Sequence, residues 1–264
     1  MDKLYVIKIG GHVIDNDPLL KDLLLQFSSL QGKKILVHGG GKLATRMAEK
    51  MEIPQQIVDG RRITDAETLK IVTMVYAGFI NKNIVAQLQS MECNAIGLTG
   101  ADAGSILAHK RIHHSIDFGF VGDIDVVNPL FLRELLDQGL SIVMAPITHD
   151  GKGQLLNTNA DTIAQEIAKS MCADYETKLI YTFEKAGVLL DMDDEGSVIS
   201  RLNRHYYKEL KEPANGQVRI FAGMIPKLDN AFAAIDSGVK EVIIGKAGKL
   251  QELIAGTAGT TIIQ

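Results

Sequence analysis

Two glycine clusters and three charged side chains carry most of the chemistry legible in this chain. Gly10-Gly11 ends the β-branched apolar run Lys3–Ile9, and His38-Gly39-Gly40-Gly41 follows the run Lys33–Val37. Without side chains, such loops let backbone N–H groups approach an oxyanion, and a helix start nearby adds positive dipole. Both loops suit phosphate. Tight turns alone would explain a single cluster, but two clusters after adjacent strands shift the balance toward anion binding. Neither familiar nucleotide fingerprint fits: GGHVID and GGGKLA lack the GxGxxG spacing, and Lys42 and Lys246 precede Leu43 and Ala247 where a P-loop needs Ser or Thr.

The charges narrow the chemistry. Lys8 stands near the end of a strand otherwise made of Tyr5, Val6, Ile7 and Ile9, where a lysine either reaches a ligand edge or snorkels to solvent. Lys227 follows Gly223-Met224-Ile225-Pro226, a loop running into a helix. Asp161 belongs to Asn157-Thr158-Asn159-Ala160-Asp161, which opens another helix; there it is either a functional carboxylate or a first-turn acid favoured by the dipole. The histidines His12, His109, His113, His114, His149 and His205 show no metal-ligand spacing, and His38 is not assigned as a base.

These residues need elements to hold them. The spacing predicts strands at Lys3–Ile9, Lys33–Val37, Ala95–Leu98, Ser141–Ala145, Lys178–Thr182, Glu241–Ile244 and Thr260–Ile263. Helices are expected over Asp17–Leu30, Leu43–Met51, Pro129–Gln138, Asp161–Met171, Arg204–Lys211 and Met224–Ser237. One long helix should run from Thr64-Asp65 to about Gln89, with Thr64 and Glu67 as a capping box. Between Ala103 and Val127, Gly119 and Gly122 suggest hairpins projecting from the main sheet. Alternating β and α implies a mostly parallel sheet with helices on both faces. With no Pro/Ser-rich linker, two lobes would share one continuous sheet, divided softly near Met171–Thr177.

Composition supports this frame. The chain has 264 residues, 46% hydrophobic and 23% charged, which excludes intrinsic disorder and fibrous classes. A formal net charge of −4 offers no basic field for nucleic acid. Cys93 and Cys172 are far apart and expected to be reduced and buried. The longest apolar stretch, Leu140–Ile147, is too short for a membrane span, and the N-terminus lacks the design of a signal peptide, so a cytoplasmic location is expected.

Taken in order, IKIGG (Ile7–Gly11), HGGGK (His38–Lys42), GRRIT (Gly60–Thr64), FGFVGDI (Phe118–Ile124), NTNAD (Asn157–Asp161), GMIPK (Gly223–Lys227) and GTTI (Gly259–Ile262) resemble the motifs of the amino acid kinase family over nearly the whole chain. Within that family the match is best to members that phosphorylate N-acyl-glutamate. The resemblance implies a three-layer αβα sandwich on a mainly parallel open sheet. It implies a single domain over 1–264, with an acyl-amino-acid and dimerisation lobe over about 1–172 and a nucleotide lobe over about 173–264.

By the same resemblance, Lys8 and Lys227 neutralise the phosphoryl group in flight and Asp161 holds the two lysines. Gly10, Gly11, Gly39 and Gly40 bind phosphate; Arg62, Asn157, Gly41 and Arg61 bind the acyl amino acid; Thr182, Gly187, Leu189, Gly223 and Met224 bind the nucleotide. The reaction implied is ATP-dependent phosphorylation of the γ-carboxylate of N-acetyl-L-glutamate in arginine biosynthesis, with Mg²⁺ held mainly by the nucleotide phosphates and no protein metal site. Such a nucleophile needs no general base, since a carboxylate with pKa near 4.3 is ionised at pH 7.

Two departures bear on detail. The stretch Tyr181–Leu189 lacks an aspartate that many relatives carry, and Thr99-Gly100-Ala101-Asp102 lacks a lysine. A third suggests an alternative substrate: Arg61 beside Arg62 would suit a second carboxylate, as on N-succinyl-L-glutamate. An alternative of another class is a non-catalytic nucleotide-binding regulator of the same fold. The resemblance also implies a homodimer without arginine feedback, since arginine-inhibited members carry an extra N-terminal helix that has no place before a first strand containing Lys8.

Overall fold

The computed structural model describes residues 1–58, 61–191, 194–211 and 224–264. At its centre lies β1 (Lys3–Ile9), flanked by β2 (Lys33–His38) and β11 (Glu176–Phe183). The sheet continues outward on one side through β8 (Ser141–Met144) to β5 (Ala95–Leu98). On the other it continues through β13 (Glu241–Lys246) and β14 (Thr260–Ile262) to β12 (Arg201–Leu202). Of these eight strands only β14 runs antiparallel to its neighbour β13. One sheet therefore carries residues from both halves of the sequence, and the expected mainly parallel three-layer arrangement is what the chain adopts.

Strand β1 is a near-continuous apolar run because both of its faces are covered. Leu4 and Val6 face one core with α6 (Pro129–Asp137), α7 (Ala160–Ser170) and α9 (Ile225–Asp236). Tyr5, Ile7 and Ile9 face the other, with α2 (Asp17–Ser29), α4 (Ala66–Thr73), α5 (Asn81–Ser90) and α10 (Leu250–Ala255). Burying each such Leu or Ile side chain stabilises the fold by about 1.5–3 kcal/mol before conformational entropy is subtracted.

Helix starts follow local side-chain chemistry. Asn16 accepts the Leu19 N–H ahead of α2, Asn128 that of Phe131 ahead of α6, and Asn159 those of Asp161 and Thr162 ahead of α7. The cap of α4 is Asp65, which accepts the Thr68 N–H at 2.7 Å, rather than the expected Thr64. The Thr64 hydroxyl is spent elsewhere: it donates to the Arg62 carbonyl and accepts from Asn157.

The long helix expected to reach Gln89 is continuous but changes pitch. Between α4 and α5, Met74–Ile80 is a π-helix, a wider turn often found at functional sites. The expected hairpins between Ala103 and Val127 are β6 (Ile106–Lys110) and β7 (Val121–Val127), which do not project freely. They close a four-stranded barrel with β9 (Ile147–His149) and β10 (Leu155–Thr158). Asn157 and Thr158 accordingly end a strand instead of opening a helix. Further elements without a counterpart in the periodicity include α10, the short helix Gly11–Ile14, and the two-residue strands β12, β3 (Ile57–Val58) and β4 (Arg61–Arg62).

Candidate functional site

The carboxyl ends of β1 and β2 open onto two clefts, the position where open parallel sheets bind ligands. Alternation along β1 puts Lys8 on the same face as Leu4 and Val6, against α7. Asp161, in the first turn of α7, meets it there: Lys8 Nζ lies 2.7 Å from Asp161 Oδ1. The two form an ion pair off the line of a hydrogen bond, and Oδ1 is buried with no hydrogen-bond donor among the described residues.

Lys227, at the start of α9 on that same face, completes the cluster. Burial lowers its pKa; Asp161 opposes this, and the Lys8 charge adds to it. Its Nζ also stands 3.8 Å from the centre of the Phe183 ring, a cation–π contact at the end of β11. The two ammonium groups from opposite ends of the sequence thus share one acidic neighbour.

The glycine loops lie beside them. A methyl group at Gly10 would stand 3.7 Å from Lys8 Nζ, and one at Gly39 would stand 3.8 Å from the Gly11 nitrogen. The loops therefore touch each other as well as the lysine. Gly39 N–H donates to the Ile9 carbonyl at 2.9 Å, so it ties β1 to β2. The N–H groups of Gly11 and Gly40 have no protein acceptor among the described residues, and Gly40 caps the N-terminus of α3 (Gly41–Lys50). Gly40 adopts φ 151°, and a Cβ there would fall 2.3 Å from Ile80 Cδ1. Only glycine fits.

The first cleft, about 380 Å³, is lined by Lys8, the two glycine loops, Arg61, Arg62, Tyr76 and Asn157–Asp161. Four cations, Lys8, Lys42, Arg61 and Arg62, line it together with the carboxylate of Asp161. Arg62 is buried and well held: it donates to Gln55 Oε1, to the Gly41 carbonyl at 2.8 Å and to Thr45 Oγ1 at 2.8 Å. Asn157 Nδ2 donates to Thr64 Oγ1 at 3.0 Å, which fixes its amide on the same wall. The Arg61 side chain has no hydrogen-bond or ion-pair partner among the described residues; burial and the neighbouring Arg111 charge lower its pKa, against the opposing Asp123.

The second cleft, about 370 Å³, shares Lys8, Gly10 and Gly11 with the first and adds His12, Val13, Thr182–Lys185 and Met224. Lys8 and the first glycine loop are thus the common wall between two chambers. Of the residues expected to contact nucleotide, Thr182 and Met224 line this cleft, and Gly223 lies outside the described residues. Gly187 and Leu189 do not line it. A Cβ on Gly187 would meet Thr260 Oγ1 at 2.7 Å, and Leu189 is buried in a bridge to Val198.

Several lining residues escaped the motif reading. Tyr76 was hidden in an apolar helix, although Gly78 inside that helix signals an irregular turn. Thr45 and Gln55 hold Arg62 without belonging to its motif. His12 and Glu184, 3.2 Å apart across the second cleft, carry no sequence signal that separates them from surface residues.

Comparison with known proteins agrees with this geometry. The chain is similar to the acetylglutamate kinase of Cytophaga hutchinsonii, 56% identical over 266 residues that cover 100% of this chain and 99% of that one. It is 52% identical to the acetylglutamate kinase of Phocaeicola vulgatus, over 95% of this chain and 96% of the other. Among solved structures it resembles N-acetylglutamate synthase from Neisseria gonorrhoeae, with a TM-score of 0.80 at 23% identity, covering 100% of this chain and 59% of that one. The chain therefore spans about three fifths of the synthase's length. It also resembles Giardia carbamate kinase, with a TM-score of 0.71 at 11% identity over 99% of this chain and 98% of the other; at these identities the likeness concerns the fold. Residues 3–246 match the model of the amino acid kinase family, and with relatives this similar over its full length the chain belongs to that family.

Proposed function

We propose that this chain is an ATP-dependent kinase that phosphorylates the γ-carboxylate of N-acetyl-L-glutamate, giving N-acetyl-glutamyl 5-phosphate, a step of arginine biosynthesis. One observation carries the reading: Lys8, Gly10 and Gly11 form the wall common to two clefts, where a group passing from a donor in one to an acceptor in the other must cross. Full-length relatives named acetylglutamate kinase support the substrate.

In this reading the acyl amino acid occupies the first cleft, with Arg62 and Asn157 on its α-carboxylate and neighbouring polar atoms. The nucleotide occupies the second, with its phosphates toward Gly10, Gly11 and Lys8 and its base toward Thr182 and Met224. A γ-carboxylate oxygen attacks the terminal phosphorus, the bond to the bridging oxygen breaks, and ADP leaves. Phosphoryl transfer asks mainly for positioning and charge stabilisation. Lys8, Lys227 and the free N–H groups of Gly11 and Gly40 provide both, and Asp161 keeps the lysines together. The phosphates would carry Mg²⁺, which neutralises part of their charge; among the described residues no cluster of three or more His, Cys, Asp or Glu is placed to hold a metal.

The same proposal includes the two lobes, about 1–172 for the acyl amino acid and about 173–264 for the nucleotide, and a cytoplasmic location. Among the described residues no helix is long and apolar enough to cross a membrane. It also includes a homodimer, supported by Met74 (55% exposed) and Phe79 (64% exposed), large apolar side chains left bare on the long helix. Hydroxylamine trapping of the acyl phosphate across a panel of acylated and free amino acids tests the reaction; trapping with N-acetyl-L-glutamate is expected, and none with any panel member would refute it.

A second reading, N-succinyl-L-glutamate as substrate, is favoured by Arg61. Three of the four terminal N–H groups of Arg62 are engaged with Gln55, Gly41 and Thr45, which leaves one for the α-carboxylate, whereas the Arg61 side chain lines the same cleft without a hydrogen-bond or ion-pair partner among the described residues. A further carboxylate would suit it. Comparison of kcat/KM for the two acyl-glutamates decides between them.

A further inference from the structure

His38 lies beside the second glycine loop but lines neither cleft. His38 ends β2, is fully buried at 0% exposure, and has both ring nitrogens engaged. Nδ1 lies 2.8 Å from the Gly39 carbonyl oxygen, and Nε2 lies 3.3 Å from Asn81 Nδ2. A carbonyl can only accept, so Nδ1 must carry a proton. In the neutral ring Nε2 is then an acceptor, and it takes the Asn81 amide N–H. Burial holds the imidazole neutral by pushing its pKa down to about 4.

Asn81 is itself locked. It is 1% exposed, and its Nδ2 also donates to the Val143 carbonyl at 2.9 Å. Its Oδ1 accepts from Lys82 Nζ at 3.1 Å, and the same ammonium donates to the Gly97 carbonyl at 2.8 Å. The network therefore ties together the ends of β2, β8 and β5 and the start of α5. The absent side chain of Gly97 leaves room for it, since a Cβ there would fall 1.9 Å from Asn81 Oδ1.

The consequence concerns the adjoining peptide. In a planar trans peptide the C=O and the following N–H point in opposite directions. The His38 bond turns the Gly39 carbonyl into the protein interior, which turns the Gly40 N–H outward, toward the cleft that Gly40 lines. That N–H has no protein acceptor among the described residues, whereas the Gly39 N–H is consumed by Ile9.

We infer that His38, held by Asn81, is a positioning residue that aims the Gly40 N–H at the phosphoryl group in transit. The ring acts through its Nδ1 proton, does not touch substrate and does not exchange protons during turnover. The inference rests on the kinase reading above, and it has a test that does not depend on it.

Nitrogen-15 chemical shifts of histidine-labelled protein report the His38 tautomer directly. A neutral ring with the proton on Nδ1 between pH 6 and pH 8 is expected; a proton on Nε2 overturns the proposal. Kinetics add a second test. His38→Asn places an amide N–H near the position of Nδ1, whereas His38→Gln places its amide near Nε2. Loss of one oxyanion donor typically lowers kcat by about 10²–10³-fold. His38→Gln should accordingly lose at least about 30-fold in kcat, with KM for both substrates within about threefold, and His38→Asn should recover most of the loss. Equal rates for the two variants, or a loss confined to KM, would overturn the proposal. Thermal unfolding of both variants identifies any loss due to misfolding, in which case the tautomer decides. If wild-type protein forms no acyl phosphate, the kinase reading fails while the tautomer result still judges the geometry.

Discussion

Lys8 and Lys227 lie within electrostatic reach of each other, and the Asp161 carboxylate, paired with Lys8, offsets the repulsion at Lys227. In the proposed transition state a second negative centre develops beside Asp161, and the lysines bind it more strongly than they bind either substrate. Removing one should therefore act on kcat. Lys8→Met is expected to lower kcat by about 10²–10³-fold with KM changed only severalfold, measured by steady-state coupling to ADP release. Asp161→Asn has a different signature. Burial and the Lys8 charge lower the Lys227 pKa and Asp161 raises it, so removing the carboxylate lowers it further. Lys227 then loses its proton at lower pH, and the alkaline limb of the kcat profile should move to the acid side; a limb unmoved in Asp161→Asn would show that Lys227 does not set it.

At the scale of elements, the site depends on where the two glycine loops end and what packs behind them. Gly40 combines a φ of 151° with a Cβ position 2.3 Å from Ile80 Cδ1, on the π-helical turn. Gly40→Ala should cost about 2–4 kcal/mol in denaturant unfolding from strain and overpacking together. Gly78→Ala, with no atom within 4 Å of the new methyl, should be neutral or stabilising by up to about 1 kcal/mol. The contrast marks what a sequence alone conveys. Strand β1, helix α7 and the ends of the glycine loops follow from apolar periodicity, caps and glycine position, but which face α7 covers does not, so the meeting of Lys8 and Asp161 is implied only by the family resemblance and is seen in the structure. The π turn and the barrel do not follow either, because both depend on tertiary partners: Tyr76 and Ile80 against Gly40, and β9 and β10 closing on β6 and β7. Gly187 and Gly40 look alike in the sequence. Only the structure shows that one packs against Thr260 and the other faces the cleft.

For the whole molecule, the buried neutral His38 makes stability depend on acid. Its pKa falls from 6.5 in an unfolded chain to about 4 in the folded one. As pH drops through 6.5 the unfolded chain takes up a proton that the folded chain refuses, and the stabilisation is lost progressively until pH about 4. At about 1.4 kcal/mol per pH unit this amounts to about 3 kcal/mol. Urea unfolding at pH 7 and pH 4 should show a loss smaller by that amount in His38→Asn than in wild type; equal losses would mean His38 does not carry the dependence. Association acts at this scale too. Met74 and Phe79 are five residues apart on a π-helical stretch, where a turn takes about 4.4 residues, so they fall near one another on the exposed side. The opposite side of the same turn carries Tyr76 and Ile80 against the Gly40 loop. A second copy seated on Met74 and Phe79 would thus brace the π turn from behind while the glycine loop presses on its front. Phe79→Glu should convert the proposed dimer to monomer in sedimentation velocity, and because the turn then loses its support, kcat should fall with it. A Phe79→Glu protein that remains dimeric would place the interface elsewhere, and a fully active monomer would show that the π turn holds Gly40 unaided.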